Sequence, residues 1–248
     1  MAQTAERENA VIRGLRRSPA VHLAEDFTRG SVSGVQGVTL REVPFLTMIG
    51  VRAAHGSAVW DRLGAVVGGL PERYGQVTGY TAAGGAGDSA GGAPGTAQGV
   101  SVLWLGPEEF LVIAPDAPDA LDGGTFDGGA ADGGAADGGA GGVSLLSGLL
   151  AALAGDPGQV VDLSSNRTTF ELAGPSARAV LEKSCALDLH PREFTVGTAV
   201  NTQIGLIPAV LWRVDDDAFR IFPRASFADF LGRWLLDGMR EFAAVEVH

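Results

Sequence analysis

Five polar residues stand together at the centre of VVDLSSNRTTFELAGP (Val160 to Pro175): Ser164, Ser165, Asn166, Arg167 and Thr168, two positions after Asp162. Hydroxyls, an amide and a guanidinium at this density can form a loop that grips a polar ligand. The same residue types also make turns, because Ser and Asn side chains bond to their own backbone. As a turn the run needs no ligand. Arg167 is then free to pair with Asp162 or Glu171, or to reach a partner chain. The residue types favour the turn.

Other residues invite chemistry less strongly. Cys185 is the single cysteine, and His190 follows five positions later in CALDLHP. A thiol at the C-terminal end of a helix gains no pKa depression from it, so Cys185 reads as a small buried apolar residue. The four histidines, His22, His55, His190 and His248, share no metal-type spacing. GDSAGG (Gly87 to Gly92) is similar to the nucleophile segment of trypsin-like proteases, with Ser89 as the would-be nucleophile. It lies in a Gly/Ala-rich stretch without strand periodicity and is read as coincidence. The chain has no GxGxxG after a strand and no phosphate-binding GxxxxGK[ST]. The residues themselves thus supply no catalytic, cofactor-binding or metal-ligating set.

Composition narrows the partners. The net charge is -11, and it is localised: no Lys, Arg or His occurs between Arg73 and Arg167, an interval with eleven acids. The rest of the chain is balanced. No basic patch is present, so nucleic acid is not an expected partner. No apolar run is long enough for a membrane helix, and the charged start lacks a signal-peptide core. A cytoplasmic location is expected, and the lone cysteine agrees with it.

The elements that must position these residues alternate between strand and helix. FLTMIGVRA and TTFELAG read as strands, and SAVWDRLGAVVGGL and PSARAVLEKS as helices that follow them. VSVLWLGPEEFLVIAP is a hairpin, VSLLSGLLAALAG a helix, and TAVNTQIGLIPAVLWRVDDDAFRIFP three strands that turn last at Asp215-Asp216-Asp217. In SFADFLGRWLLDGMREF, Phe227, Phe230, Leu231, Trp234 and Leu235 recur at helical spacing. This stripe is expected in the core, with Ser226 and Asp229 as a capping box.

VLWLGPEEFLVIAP and VLWRVDDDAFRIFP match at Val102-Leu103-Trp104 and Val210-Leu211-Trp212. The fold class is therefore α+β: duplicated β-α-β-β-α units forming antiparallel or mixed sheets, with helices packed on one face. Trp104 and Trp212 are expected in equivalent, mostly buried positions. Residues 1–37 read as an N-terminal extension and 38–248 as one domain. Two Gly-rich inserts interrupt it, at 81–99 and 122–142. The second repeats DGG at Asp122, Asp127, Asp132 and Asp137. It lacks the nine-residue period of calcium-binding repeats and reads as a flexible loop. Deleting 122–142 is expected to leave folding nearly intact, because closure entropy varies slowly with loop length. Thermal melting of the shortened chain checks this, and loss of soluble protein would contradict it.

VVDLSSNRTTFELAGPSARAVLEKSCALDLHP closely resembles the γ subunits of heterotetrameric sarcosine oxidase. The likeness is carried by Asp162, Arg167, Gly174, Pro175, Lys183, Cys185, Leu187, Asp188, Leu189 and His190. RSPAVH, REVPFLTMIGVR, LWLGPEEFLV and SFADFLGRWLLD extend it over nearly all of the chain outside the inserts, which are not typical of the family. The resemblance implies a structural or assembly subunit of a flavoenzyme. That complex demethylates sarcosine oxidatively to glycine, releasing hydrogen peroxide and, with tetrahydrofolate, 5,10-methylenetetrahydrofolate. It further implies α, β and δ partners that handle FAD, FMN, NAD, zinc and tetrahydrofolate, with no cofactor in this chain. The implied fold is like the folate-binding domain of aminomethyltransferases. No catalytic aspartate of those enzymes carries over. Of the KGCYxGQE motif of folate-binding iron–sulfur assembly proteins, only Lys183 and Cys185 are shared. The alternative is a stand-alone folate-binding or aminomethyltransferase-like protein.

Overall fold

The computed structural model describes residues 15–80, 99–116 and 144–243. The DGG repeat, Ser89 with its GDSAGG string, and His248 lie outside the described residues.

A 3-10 turn at Val21–Leu23 runs into α1 (Ala24–Gly30). The strands β1 (Thr39–Glu42) and β2 (Thr47–Arg52) come next, followed by α2 (Ala58–Val67). Ser57 caps α2: its hydroxyl accepts from the Trp60 backbone N–H, one of the donors a helix start leaves unpaired. Gly68, left-handed at φ 82, ends it. The first half closes with β3 (Val77–Thr78), β4 (Ser101–Gly106), β5 (Glu109–Ala114) and α3 (Leu145–Leu153). The second half holds β6 (Gln159–Asp162), β7 (Phe170–Ala173), α4 (Ala177–Glu182), β8 (Ala199–Ile204), β9 (Ile207–Asp215), β10 (Ala218–Pro223) and α5 (Ala228–Ala243).

The strands form two five-stranded antiparallel sheets, ordered β6-β2-β5-β4-β3 and β1-β7-β10-β9-β8. In these orders β2 corresponds to β7, β5 to β10, β4 to β9 and β3 to β8. The duplication is therefore real, with each unit β-α-β-β-β-α. The first unit has one strand more than its pattern suggests, because β3 is two residues long. The strands that lead into the units are exchanged. β6 precedes the second unit yet pairs with β2 of the first (Ile49 opposite Asp162). β1 precedes the first unit yet pairs with β7 of the second (Leu40 opposite Leu172).

Each sheet carries helices on its outer face, as expected. Val51, Leu63, Phe110, Val112 and Leu149 join the first sheet to α2 and α3. Leu40, Phe170, Leu211, Ile221, Leu231 and Leu235 join the second to α1, α4 and α5. Leu23 and Phe27, from the segment ahead of the 38–248 unit, are buried in this second layer. The inner faces meet through Met48, Leu103, Leu111, Val210, Trp212 and Phe222.

Three expectations fail here. Trp104 and Trp212 are not equivalent. Trp104 pairs with Phe110 and joins the helix-side core, half-buried. Trp212 pairs with Arg220 and lies fully buried between the sheets. Successive strand residues face opposite sides, so an offset of one reverses the face. The VLW match is out of phase with the duplication it helped to reveal.

The aromatic stripe of α5 is not core either. Leu231 and Leu235 are buried, but Phe227, Phe230 and Trp234 are 36%, 48% and 45% exposed. Small residues decide the orientation. A Cβ on Gly232 would come 2.8 Å from Leu23 and 3.1 Å from Phe27. The helix therefore presents Ala228, Leu231, Gly232, Leu235 and Met239 to the core and turns its aromatics outward. The capping box does not form: the chain enters α5 through a 3-10 turn at Ala225–Phe227, and Asp229 pairs with His22 and Arg233.

Candidate functional site

The polar run begins where β6 ends. Asp162 Oδ1 accepts from both the backbone N–H (2.9 Å) and the hydroxyl (2.6 Å) of Ser164. Ser164 Oγ accepts from the Met48 N–H at 3.1 Å, which anchors the turn to β2. On the far side Arg167 Nη1 donates to the Phe222 carbonyl at 2.8 Å, and the Thr168 N–H reaches the Pro223 carbonyl at 3.3 Å. The Thr168 hydroxyl donates to Glu42 Oε1 at 2.5 Å. That carboxylate also takes the Ala20 N–H (3.1 Å) and the Ser18 hydroxyl (2.6 Å). The run is a clasp. It holds β2 of one sheet, β10 of the other and the N-terminal segment together.

Arg167 pairs with neither Asp162 nor Glu171. Glu171 is held between Arg41 and Arg220, at 2.5 and 3.2 Å. Burial lowers the Arg167 pKa from the ordinary arginine value, and the neighbouring Arg224 cation lowers it further. Removing the guanidinium would take the Arg167 donor from the Phe222 backbone carbonyl. Arg167→Ala is expected to cost about 1–3 kcal/mol, read as a lower melting temperature. An unchanged melting temperature would contradict this.

The other candidates are dispersed. Cys185 is buried in the core under the second sheet, its sulfur 3.6 Å from the Thr202 hydroxyl. His190 is exposed, and its Nδ1 accepts from the Arg192 N–H at 3.2 Å. The two engage different partners. His22 meets Asp229 at 2.7 Å, and His55 lies tilted against the Trp60 ring at 4.6 Å. Among the described residues no group of three or more His, Cys, Asp or Glu is placed to hold a metal. No helix among them is long and apolar enough to cross a membrane.

Sequence reasoning missed Arg213. It is 4% exposed, and its guanidinium donates to the carbonyls of Phe194 (2.8 Å), Asp216 (2.7 Å) and Asp215 (3.3 Å). The signal was present: one arginine inside the apolar run IPAVLWRV, two residues before an acidic turn.

A cleft of about 870 Å³ opens where β3 and β8 meet. Arg73, Gln76 and Tyr80 line one side, and Asp188, Glu193 and Thr195 the other. The bridge between Gln76 and Thr198 closes its floor edge to edge. Tyr80 packs edge-on against Trp212 at 4.9 Å. Burial, reinforced by the nearby Asp215 carboxylate, pushes its phenol up, so it stays protonated at neutral pH. Among the described residues the lining holds no Ser, Cys or His. Its polar side chains can offer hydrogen bonds to a ligand.

A family model described as sarcosine oxidase, gamma subunit family, matches residues 150–241. A sarcosine oxidase subunit gamma from an Arthrobacter species is 43% identical over 234 residues, 94% of each chain. The chain belongs to the sarcosine oxidase gamma-subunit family. A gamma subunit from Corynebacterium sp. strain U-96 is 44% identical over the same share of both chains. Family membership also extends to the fold. A chain of the heterotetrameric sarcosine oxidase from Corynebacterium sp. U-96 superimposes with a TM-score of 0.75 at 42% identity, covering 94% of this chain and all of that one. The glycine cleavage aminomethyltransferase T of Bartonella henselae shares the fold alone. Its TM-score is 0.54 at 17% identity, over 90% of this chain and 57% of that one.

Proposed function

We propose that the chain works as the gamma subunit of a heterotetrameric sarcosine oxidase, an assembly subunit without active-site chemistry of its own. The observation that carries this reading is the likeness to gamma subunits over 94% of the chain. The side chains that looked chemical support it. Arg167, Ser164, Thr168 and Glu42 serve the clasp, and Cys185 serves a core. In this reading no residue is catalytic, cofactor-binding or metal-ligating. Residues 38–248 are the functional unit, with the N-terminal segment clamped to it through Glu42. The partners are α, β and δ subunits in the cytoplasm, which hold FAD, FMN, NAD and zinc and handle tetrahydrofolate. The complex oxidises sarcosine to glycine and hydrogen peroxide.

The test is a pull-down of the tagged chain from its own host, recording mass and visible absorbance. A complex several times larger than 25.4 kDa, with flavin absorbance and sarcosine-dependent peroxide, is the expected result. A colourless protein at its own mass would overturn the reading. Tight tetrahydrofolate binding by that isolated chain would establish the stand-alone alternative.

A further inference from the structure

Four large apolar side chains share one exposed patch. Phe230 and Trp234 stack at 5.8 Å on the outer side of α5, and Phe227 precedes them by one helical step. Gly205 lies beneath the indole: a Cβ there would touch Trp234 at 3.4 Å. Leu206, next in the turn between β8 and β9, is 86% exposed. Among the described residues, every exposed Phe and Trp is in this patch. Exposed aromatics gathered at one place mark contact surfaces, where such residues supply most of the binding energy.

The charges around the patch indicate what covers it. Asp229 is matched by Arg233 at 3.0 Å and by His22 at 2.7 Å, and Arg240 by Asp237 at 3.0 Å. These charges are answered inside the chain, and Arg224, exposed three residues before Phe227, lies at the rim, so the centre of the patch is apolar. It favours a face that is itself apolar and uncharged at its centre. The solved relative with this fold comes from a heterotetramer and is matched over its whole length, which favours a different chain over a second copy.

We propose that Phe227, Phe230, Trp234 and Leu206 form the docking surface for a neighbouring subunit of the oxidase, one that presents an apolar, uncharged face. This rests on the gamma-subunit reading above. The core has no use for these aromatics, since Leu231, Leu235 and Met239 fill the inner side of the same helix. The Trp234 indole packs against the turn at Gly205, so helix and turn form one continuous face.

The experiment co-expresses the full chain with the other subunits of its host's oxidase and isolates the assembly by a tag on another subunit. Wild-type chain should be retained. A Phe230→Gln, Trp234→Gln double variant should be retained about thirtyfold less, as expected for aromatic hot spots. Its melting temperature should fall only slightly, because both side chains are about half exposed and lie outside the core. Leu206→Gln, in the turn and away from the helix, should weaken retention in the same direction. Leu150→Gln, exposed on α3 in the opposite helical layer, should be retained like wild type. Full retention of both patch variants would overturn the proposal, as would equal loss of the Leu150 variant. A wild-type chain that dimerises alone through the patch, and stops when it is mutated, would assign the surface to a second copy. Failure of wild-type chain to be retained would overturn the gamma-subunit reading itself.

Discussion

Replacing Arg213 with methionine is expected to destabilise the fold by about 3 kcal/mol, near 1 kcal/mol for each stranded backbone acceptor. In a domain of this size that lowers the melting temperature by roughly 6–12 °C. Methionine keeps most of the stem's packing but removes every donor. The Phe194, Asp215 and Asp216 carbonyls would then lose their partner. The guanidinium spans from the last hairpin turn to the loop that borders the cleft. The backbone of Arg213 meets the same loop, donating to Thr198 and accepting from Gly197. Arg213→Lys should fall between the two, since an ammonium has the charge but not the fork that reaches three carbonyls. Circular-dichroism melting of the three proteins checks the order. A methionine variant within about 2 °C of wild type would mean that water replaces the guanidinium at little cost.

Trp212→Ala is expected to cost more, about 3–5 kcal/mol, as for other large-to-small changes at buried aromatic positions. Trp212 is 1% exposed and packs on Phe222, with Tyr80 edge-on to it, so no neighbour is free to collapse into the space. Trp104→Ala should cost clearly less, because Trp104 lies at the rim of the helix-side core and keeps part of its surface in water. Chemical denaturation of both variants measures the contrast. Equal losses would mean that the two indoles occupy like environments, contrary to their opposite faces. Trp212→Phe should be mild. The indole Nε1 has no hydrogen-bond partner among the described residues, so the smaller ring gives up no bond.

Local pattern made much of the fold legible. The strand at Phe45 to Ala53, the hairpin across Gly106 and Pro107, the helix capped by Ser57 and the turn after Asp215 all show in residue spacing and turn chemistry. Each depends on neighbours in sequence. The failures depend on residues far away. Whether α5 buries Leu231 or Phe230 is decided by Leu23 and Phe27, some two hundred positions earlier, closing on Gly232. The face that Trp212 takes follows from its pairing with Arg220, not from its resemblance to Trp104. The polar run shows the same division. That it turns could be read from Ser164 and Asn166, but that Arg167 serves the Phe222 carbonyl could not. Arg213 could have been picked out as the one arginine in an apolar run before an acidic turn, but that it also reaches the Phe194 carbonyl, nineteen residues away, could not be read from local pattern.

The exchanged strands separate the order of synthesis from the order of assembly. Thr39 hydrogen-bonds to the carbonyl of Ala173, 134 residues later. On the ribosome β1 emerges early and must wait until Phe170–Ala173 exists before it can pair. The first sheet likewise keeps the β2 edge open until Gln159–Asp162 is made. Contacts this distant raise the entropy of closure and slow folding, and open edges invite pairing with other chains in the interval. A nascent chain stopped between the halves has β1 without β7 and β2 without β6. The protein is thus a duplicate in topology but a single unit in folding, and neither copy is whole until both have been translated.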